Sequence, residues 1–307
     1  MEKKQVQNNN IEEEIKIEDI QEFFLPWTDN GTTFDDVILL GDNVIIKTLV
    51  KRVIEEHKQG ERIRAYGLKP TNTILFYGVP GVGKTYLAKA MHTEMNLPLY
   101  ILDVAELLKQ GNGLERMKKI FSCLRKKGND KCILFMDECD GIFKSREDPN
   151  VAESTKQLTN IIMQNLQEIN DDIDSELIII AASNYRDQLD DATLTRFQVQ
   201  CNFLLPDDYK EFIELEFKKL KRFNLIDDVA DDIMESENQE MKEAKFSIRE
   251  LQIKIDYTLK TAILEDKMAF GDIIDIKLSS ILNTINQHIN FGLKVESINK
   301  DTEELYE

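Results

Sequence analysis

The chain has 307 residues, 42% hydrophobic and 31% charged, and its 57 acids against 39 bases leave a net charge of −18. That length predicts about two domains, with enough chain to bury a core without disulfides or metals. The negative field repels phosphate backbones and anionic lipid, so broad electrostatic binding to nucleic acid or membrane surfaces is disfavoured.

No uncharged apolar run approaches the roughly 18 residues of a membrane helix. The opening MEKKQVQNNNIEEE lacks the apolar stretch of a secretory signal. Residues 1–25 are polar and acidic and read as a disordered tail, with at most a weak helix in IEEEIKIEDIQEFF. Ordered structure is expected to begin near Pro26 and Trp27. From there to Pro206 short apolar runs alternate with helical patterns. The runs are TILFY at 73–77, PLYIL at 98–102, CILFM at 132–136, LIIIAA at 177–182 and VQCNFLL at 199–205. Leu114, Met117, Ile120, Phe121 and Leu124 share one helical face, which Gly128 is expected to close; Leu158, Ile161, Ile162 and Leu166 share another. Strands buried on both faces and separated by helices predict an α/β fold with a parallel sheet. Beyond Pro206 helical patterns run over 207–223, 227–236, 247–266 and 272–289, a second, all-helical domain ending near 290. SIRE at 247–250 reads as a capping box. Residues 291–307 read as a second acidic tail. The four cysteines, Cys123, Cys132, Cys139 and Cys201, form no CxxC pair. They read as reduced core thiols of a cytoplasmic chain.

The strand TILFY runs directly into GVPGVGKT at 78–85 and then into a helix beginning TYLAKAM at Thr85. This fits GxxxxGK[ST] through Gly78, Gly83, Lys84 and Thr85. Its glycines allow a tight turn whose backbone N–H groups converge on phosphates, and the helix N-terminus adds its dipole. The candidate nucleotide-binding set is Gly78, Pro80, Gly81, Val82, Gly83, Lys84, Thr85 and Tyr86. Lys84 is expected at the β- and γ-phosphates of ATP, and Thr85 at Mg²⁺. About fifty residues on, ILFMDE ends a buried strand in two acids, at the sheet edge where ligands bind in open α/β folds. Asp137 is expected to hold the Mg²⁺ water shell, and Glu138 to act as general base for a water attacking the γ-phosphate. Asp140 continues the run and reads as a solvated loop acid or helix cap. LIIIAASN ends in Asn184, expected to orient the attacking water. Arg196, in DDATLTRF, reads as an arginine finger, a group that often acts in a neighbour's site. Arg249 stands in the first turn of a helix, where a cation opposes the dipole, and reads as a nucleotide contact.

Together these residues resemble the AAA+ ATPases, specifically the classical AAA branch, over about residues 33–290. TFDDVIL at 33–39 is similar to the family's adenine-flanking segment. GLKPTNTILFYGVPGVGKT resembles its Walker A region, CILFMDECD Walker B, AASN sensor 1 and SIRE sensor 2. The resemblance implies the P-loop sheet order 5-1-4-3-2, a helical lid, adenine packing near Val37 and Ile38, and a homo-oligomeric ring, usually a hexamer, with ATP between subunits. Three departures stand out. RFQVQ supplies only Arg196, with Gln198 and Gln200 where a second arginine might fall. The branch often has Ala or Gly where Arg249 stands. The stretch ELLKQGNGLE at 106–115, equivalent to the pore loop, has no aromatic, and Leu107 and Leu108 are its apolar candidates. The expected activity is ATP hydrolysis driving the remodelling of a protein substrate or adaptor-bound partner, with nucleic acid disfavoured but not excluded as a partner and no membrane. The alternatives are a DNA-transaction ATPase of clamp-loader or helicase-loader type, against which the charge and the short chain beyond the lid both count, and a nucleotide-gated scaffold with slow turnover.

Overall fold

The computed structural model describes residues 15–108, 112–143, 151–186, 189, 191–210, 212, 245–253, 256 and 260. The expected helices at 227–236 and 272–289, most of those at 207–223 and 247–266, residues 1–14 of the first tail and all of the second tail at 291–307 lie outside the described residues. The chain divides into two compact units: Met1–Thr33, Lys51–Tyr77 and Ala88–Cys201 form the first, and Phe34–Val50, Gly78–Leu87 and Asn202–Glu307 the second.

The first unit is organised by a sheet. The strands are β1 (Thr73–Gly78), β2 (Leu99–Leu102), β3 (Ile133–Met136), β4 (Ile178–Ser183) and β5 (Val199–Phe203), ordered β2-β3-β4-β1-β5, and all their residues but Gly78, Asn202 and Phe203 fall in the first unit. The strand order is the expected one. The pairs β2–β3, β3–β4 and β1–β4 are parallel, with Met136 opposite Ala181 and Tyr77 opposite Ser183. All residues of β3 and β4 are buried, which explains their unbroken apolar runs. Helix α1 (Val44–Lys58) and the short α2 (Gly60–Ala65) precede β1, and α3 (Lys84–Met95) follows it. The short α4 (Val104–Leu108) follows β2, then come α5 (Gly113–Leu124), α6 (Glu153–Asp171) and the short α7 (Asp191–Leu194). Met117, Ile120, Phe121 and Leu124 of α5 and Leu158, Ile162 and Leu166 of α6 enter one core with Leu134, Met136, Ile179 and Ala181. Burying each such large side chain contributes roughly 1.5–3 kcal/mol. Helix α5 stops at Leu124, and Gly128, at φ +101°, turns the chain further on toward β3. All four cysteines are buried thiols outside any disulfide. Burial pushes the Cys132 and Cys201 thiols up to about 12, so neither is a thiolate at neutral pH.

The expectation that order begins near Pro26 is corrected at residues 15–25. Ile17–Phe23 form a 3-10 helix. Side chains three apart line up on a 3-10 helix, so Ile20 and Phe23 share one face and are buried beside α4 and α5. Phe24 then forms an antiparallel bridge with Leu102, and Leu25 N–H donates to Ile101 O at 2.8 Å. The segment covers the edge strand β2, whose unpaired backbone would otherwise be exposed.

In the second unit Asn43 is buried and its amide closes onto one residue. Nδ2 donates to Leu204 O at 2.8 Å, and Oδ1 accepts from Leu204 N–H at 2.9 Å. Tyr209, Phe212 and Leu251 are fully buried, and Tyr209 O–H donates to Phe246 O at 2.7 Å. The capping box is formed: Ser247 N–H and Oγ each meet Glu250 Oε2 at 2.8 Å, and Glu250 N–H returns to Ser247 Oγ at 3.3 Å.

Candidate functional site

In the second unit, loop 78–83 is shaped by three glycines that other residues could not replace. Gly78, Gly81 and Gly83 have φ of +126°, +76° and +104°, a region closed to most side chains. At Gly78 packing adds a second reason: a Cβ there would stand 1.9 Å from Phe203 O. Val79 N–H donates to that same carbonyl at 3.2 Å, so the loop leaves the sheet while still fastened to β5. Helix α3 begins at Lys84, and Leu87 N–H donates to Gly83 O at 2.9 Å. The first N–H groups of any helix have no intrahelical acceptor and carry its positive dipole end, which makes this turn an anion cradle. Lys84 is buried, and its ammonium donates to Gly78 O at 2.7 Å and Val79 O at 2.8 Å. Thr85 is half-buried, Val82 buried, and Pro80 and Tyr86 exposed.

Two further segments of the second unit flank the loop. A Cβ on Gly83 would meet nothing nearer than Leu39 Cδ2 at 3.7 Å and Ile38 O at 4.0 Å. The 37–39 segment therefore lies beside the loop, with Val37 buried and Ile38 half-buried. Lys47 Nζ steadies the segment by donating to Val37 O at 3.3 Å. On another side Arg249 N–H donates to Gly81 O at 3.1 Å, and a Cβ on Gly81 would stand 2.8 Å from Ser247 Oγ and 3.2 Å from Arg249 Cβ. The structure thus brings Val37, Ile38, Gly78–Thr85 and Arg249 together within one unit.

In the first unit the carboxyl edge of the sheet gathers Asp137, Glu138, Asp140, Ser183 and Asn184. Strand β3 stops pairing at Met136, and the chain turns sharply through Glu138 at φ +51°, ψ +42°. A left-handed non-glycine residue costs about 1–2 kcal/mol, and such strain collects at functional sites. The turn leaves Glu138 exposed and Asp137 half-buried, and Glu138 N–H donates to Asp137 Oδ1 at 3.0 Å. The 3-10 turn Cys139–Gly141 follows. The reading of Asp140 as a solvated loop acid or helix cap is corrected. Its carboxylate accepts from Ser183 Oγ, from Asn184 N–H at 3.1 Å and from Tyr185 N–H at 3.3 Å.

Arg196 stands at the opposite, amino edge. Its carbonyl accepts from Asn170 Nδ2 at 2.8 Å and from the hydroxyl of Thr73, the first residue of β1, at 3.2 Å. Its guanidinium donates to Gln167 Oε1 of α6, and among the described residues its buried Nε has no hydrogen-bond partner. Strand β1 runs from this edge to the other over six residues, roughly 16 Å at 3.3 Å per step. That is further than an arginine side chain reaches, so Arg196 does not reach Glu138 or Asn184 of its own chain. Gln198 is fastened inward, its Oε1 accepting from Asn72 N–H at 2.8 Å and Thr73 N–H at 3.3 Å.

Residues 74–205 match the family model described as AAA, ATPase family associated with various cellular activities. Residues 74–205 thus carry an AAA ATPase domain. The chain is 31% identical over 179 residues to an ATP-dependent zinc metalloprotease FtsH of Lachnoclostridium phytofermentans, covering 55% of this chain and 30% of that protein. It is 29% identical over 189 residues to a putative 26S proteasome regulatory subunit homolog of Methanothermobacter thermautotrophicus, covering 61% of this chain and 48% of that one. The chain therefore spans half or less of the length of these two relatives. A solved structure titled "Structure of E. coli MS115-1 HORMA:CdnC:Trip13 complex" superposes with a TM-score of 0.62 over 81% of this chain and 88% of that chain, at 17% identity, a likeness of fold.

Within the AAA domain, sequence reasoning missed residues that act on other site residues. Asp140 was visible only as a third acid in DECD. Gln167, Asn170 and Gln198 carry no local signal, because their partners are distant in sequence. Leu107 is fully buried in the core, while Leu108 is partly exposed. Both lie in α4, Leu107 as a core residue, and of the two only Leu108 presents an apolar surface. Among the described residues no helix is long and apolar enough to cross a membrane.

Proposed function

We propose that this AAA protein binds and hydrolyses ATP as a homo-oligomeric ring and uses the cycle to remodel a protein partner. The observation that carries the reading is the loop of the second unit: three left-handed glycines, a buried lysine across them and a helix N-terminus behind. That combination fits a triphosphate, since a backbone cradle with a cation accepts anionic oxygens of any rotation. A side chain on Gly83 would stand in the space beside Ile38 and Leu39. Gly78, Pro80, Gly81, Val82 and Gly83 form the cradle, Lys84 meets the β- and γ-phosphates, and Tyr86 stands in the first turn of α3. Val37 and Ile38 take the adenine side. Arg249, held by Gly81, reads the phosphates from the helical segment. Thr85 through its hydroxyl and Asp137 through water would hold Mg²⁺, which neutralises phosphate charge when bound. Glu138 removes the proton of the attacking water, and Asn184 orients that water. Arg196 serves the site of a neighbouring copy.

The protein partner rests on the relatives, one named a metalloprotease and one a proteasome regulatory subunit homolog. The net charge of −18 favours a protein partner over nucleic acid. Equilibrium ATP binding by Lys84→Ala against the wild type tests the loop reading. Loss of binding is expected; wild-type affinity contradicts it.

A further inference from the structure

Strands β3 and β4 part company at the carboxyl edge. Their ladder ends at Met136 opposite Ala181, yet β4 continues to Ser183. On its other side β4 is still held there, because Tyr77 of β1 lies opposite Ser183. On the β3 side one side chain replaces the missing strand. The Asp140 carboxylate accepts from Ser183 Oγ, from Asn184 N–H through both oxygens at 3.1 and 3.3 Å, and from Tyr185 N–H at 3.3 Å. Ser183 is buried, and its hydroxyl oxygen also accepts from Tyr185 N–H at 3.1 Å, which closes a small network around the strand end.

The position of Asp140 in the chain gives this network its meaning. Only Cys139 separates it from Glu138, and the left-handed turn at Glu138 carries it under the end of β4. The turn that exposes Glu138 therefore also delivers the carboxylate that fixes the backbone of Asn184. Two consecutive N–H groups and a hydroxyl on one carboxylate form a charge-assisted set, stronger and more directional than neutral bonds. We propose that Asp140 is a positioning residue for ATP hydrolysis: it sets Asn184 relative to Glu138 without touching the nucleotide. The proposal rests on the ATPase reading above. It makes the two strand ends a single mechanical piece, so that a shift of the Glu138 turn moves Asn184 with it.

The test is a double-mutant cycle of steady-state ATP hydrolysis, with ATP affinity and thermal unfolding measured on each variant. Asp140→Ala should bind ATP within about twofold of the wild type. Its kcat should fall by about 10- to 100-fold, the scale of a small misplacement of a reacting group. Asp140→Asn keeps one acceptor oxygen and should fall between Asp140→Ala and the wild type. Because Asp140 acts through Asn184, the pair Asp140→Ala with Asn184→Ala should be no slower than Asn184→Ala alone. A merely structural role would instead multiply the two losses and lower the unfolding temperature in step. If Asp140→Ala does not fold, Asp140→Asn takes its place in the cycle with the same expectation. Normal kcat in the folded variant, or multiplied losses in the pair, overturns the proposal. Glu138→Gln is the control that separates the two claims. If it hydrolyses ATP at the wild-type rate, the ATPase reading has failed at its base, whereas its loss beside a normal Asp140 variant sinks only the positioning role.

Discussion

The two edges of the first unit's sheet are built in opposite ways. The carboxyl edge presents acids outward: Glu138 is exposed on a strained left-handed turn, and Asp137 is half-buried beside it. The amino edge is a closed polar knot. There Thr71 N–H and Oγ1 donate to Glu56 Oε2 at 3.0 and 2.8 Å, His57 Nε2 meets Thr71 O at 2.8 Å, and Gln198 accepts from Asn72 and Thr73. Arg196 belongs to the knot by its backbone and donates from Nη1 to Gln167, but its buried Nε bonds to none of the described residues. Acids on one edge and a poorly satisfied guanidinium on the other cannot serve each other within one chain. The difference supports the proposal that Arg196 serves a neighbouring copy. Four substitutions or conditions sharpen or break that contrast.

The largest effect should come from the amino edge. Arg196→Ala is expected to fold and to bind ATP, because among the described residues Arg196 hydrogen-bonds Thr73, Gln167 and Asn170, none of which lies in the loop 78–85. Its hydrolysis should drop by about 10³–10⁵, the range of arginine fingers; a steady-state rate near wild type would make Arg196 a structural member of the knot. At the carboxyl edge, Glu138→Gln should keep ATP binding and lose about 10²–10⁴ in turnover, measured in single-turnover assays. Gln198→Ala tests whether its neighbour in the knot is structural only. It should lose about 1 kcal/mol of stability for the hydrogen bonds, lowering the unfolding temperature by roughly 2–4 °C, with ATP affinity unchanged.

The smallest effect is a pH dependence. Burial lowers the His57 pKa, partly offset by the Thr71 carbonyl that favours the charged ring. The folded pKa therefore lies below the unfolded value of about 6.5, and the unfolded chain takes up the proton first. The stability associated with neutral His57 is complete above that value and is lost as pH falls toward the folded pKa. Unfolding temperatures measured from pH 7.5 down to 5.5 should decline, and His57→Gln should remove part of the decline. An identical slope in the variant would place the titrating group elsewhere.

Much of this arrangement was legible in the sequence, for physical reasons that differ by residue. Strands β3 and β4 are buried on both faces and so appear as unbroken apolar runs. The loop 78–85 is a local backbone structure, and its glycines are required where they stand by φ alone. Sheet order was available only through the family resemblance, since no pattern in one chain states which strands are neighbours. Asp140 was misread because its partners, Ser183 to Tyr185, are over forty residues away and meet it only after β3 turns. Residues 15–25 were misread because Glu18, Asp19 and Glu22 mask the three-residue spacing of Ile20 and Phe23. Gln198 looked like a missing arginine, and its inward hydrogen bonds to the start of β1 became visible only in the fold.

The central claim, that Arg196 works on a neighbouring copy, is tested most directly by mixing two inactive variants. A Lys84→Ala subunit lacks a working phosphate loop but carries an intact Arg196, and an Arg196→Ala subunit has the reverse defect. Steady-state ATP turnover of the mixture should rise above the sum of the separate variants and vary with the mixing ratio. No recovery at any ratio, with co-assembly confirmed by light scattering, would contradict action in a neighbour's site.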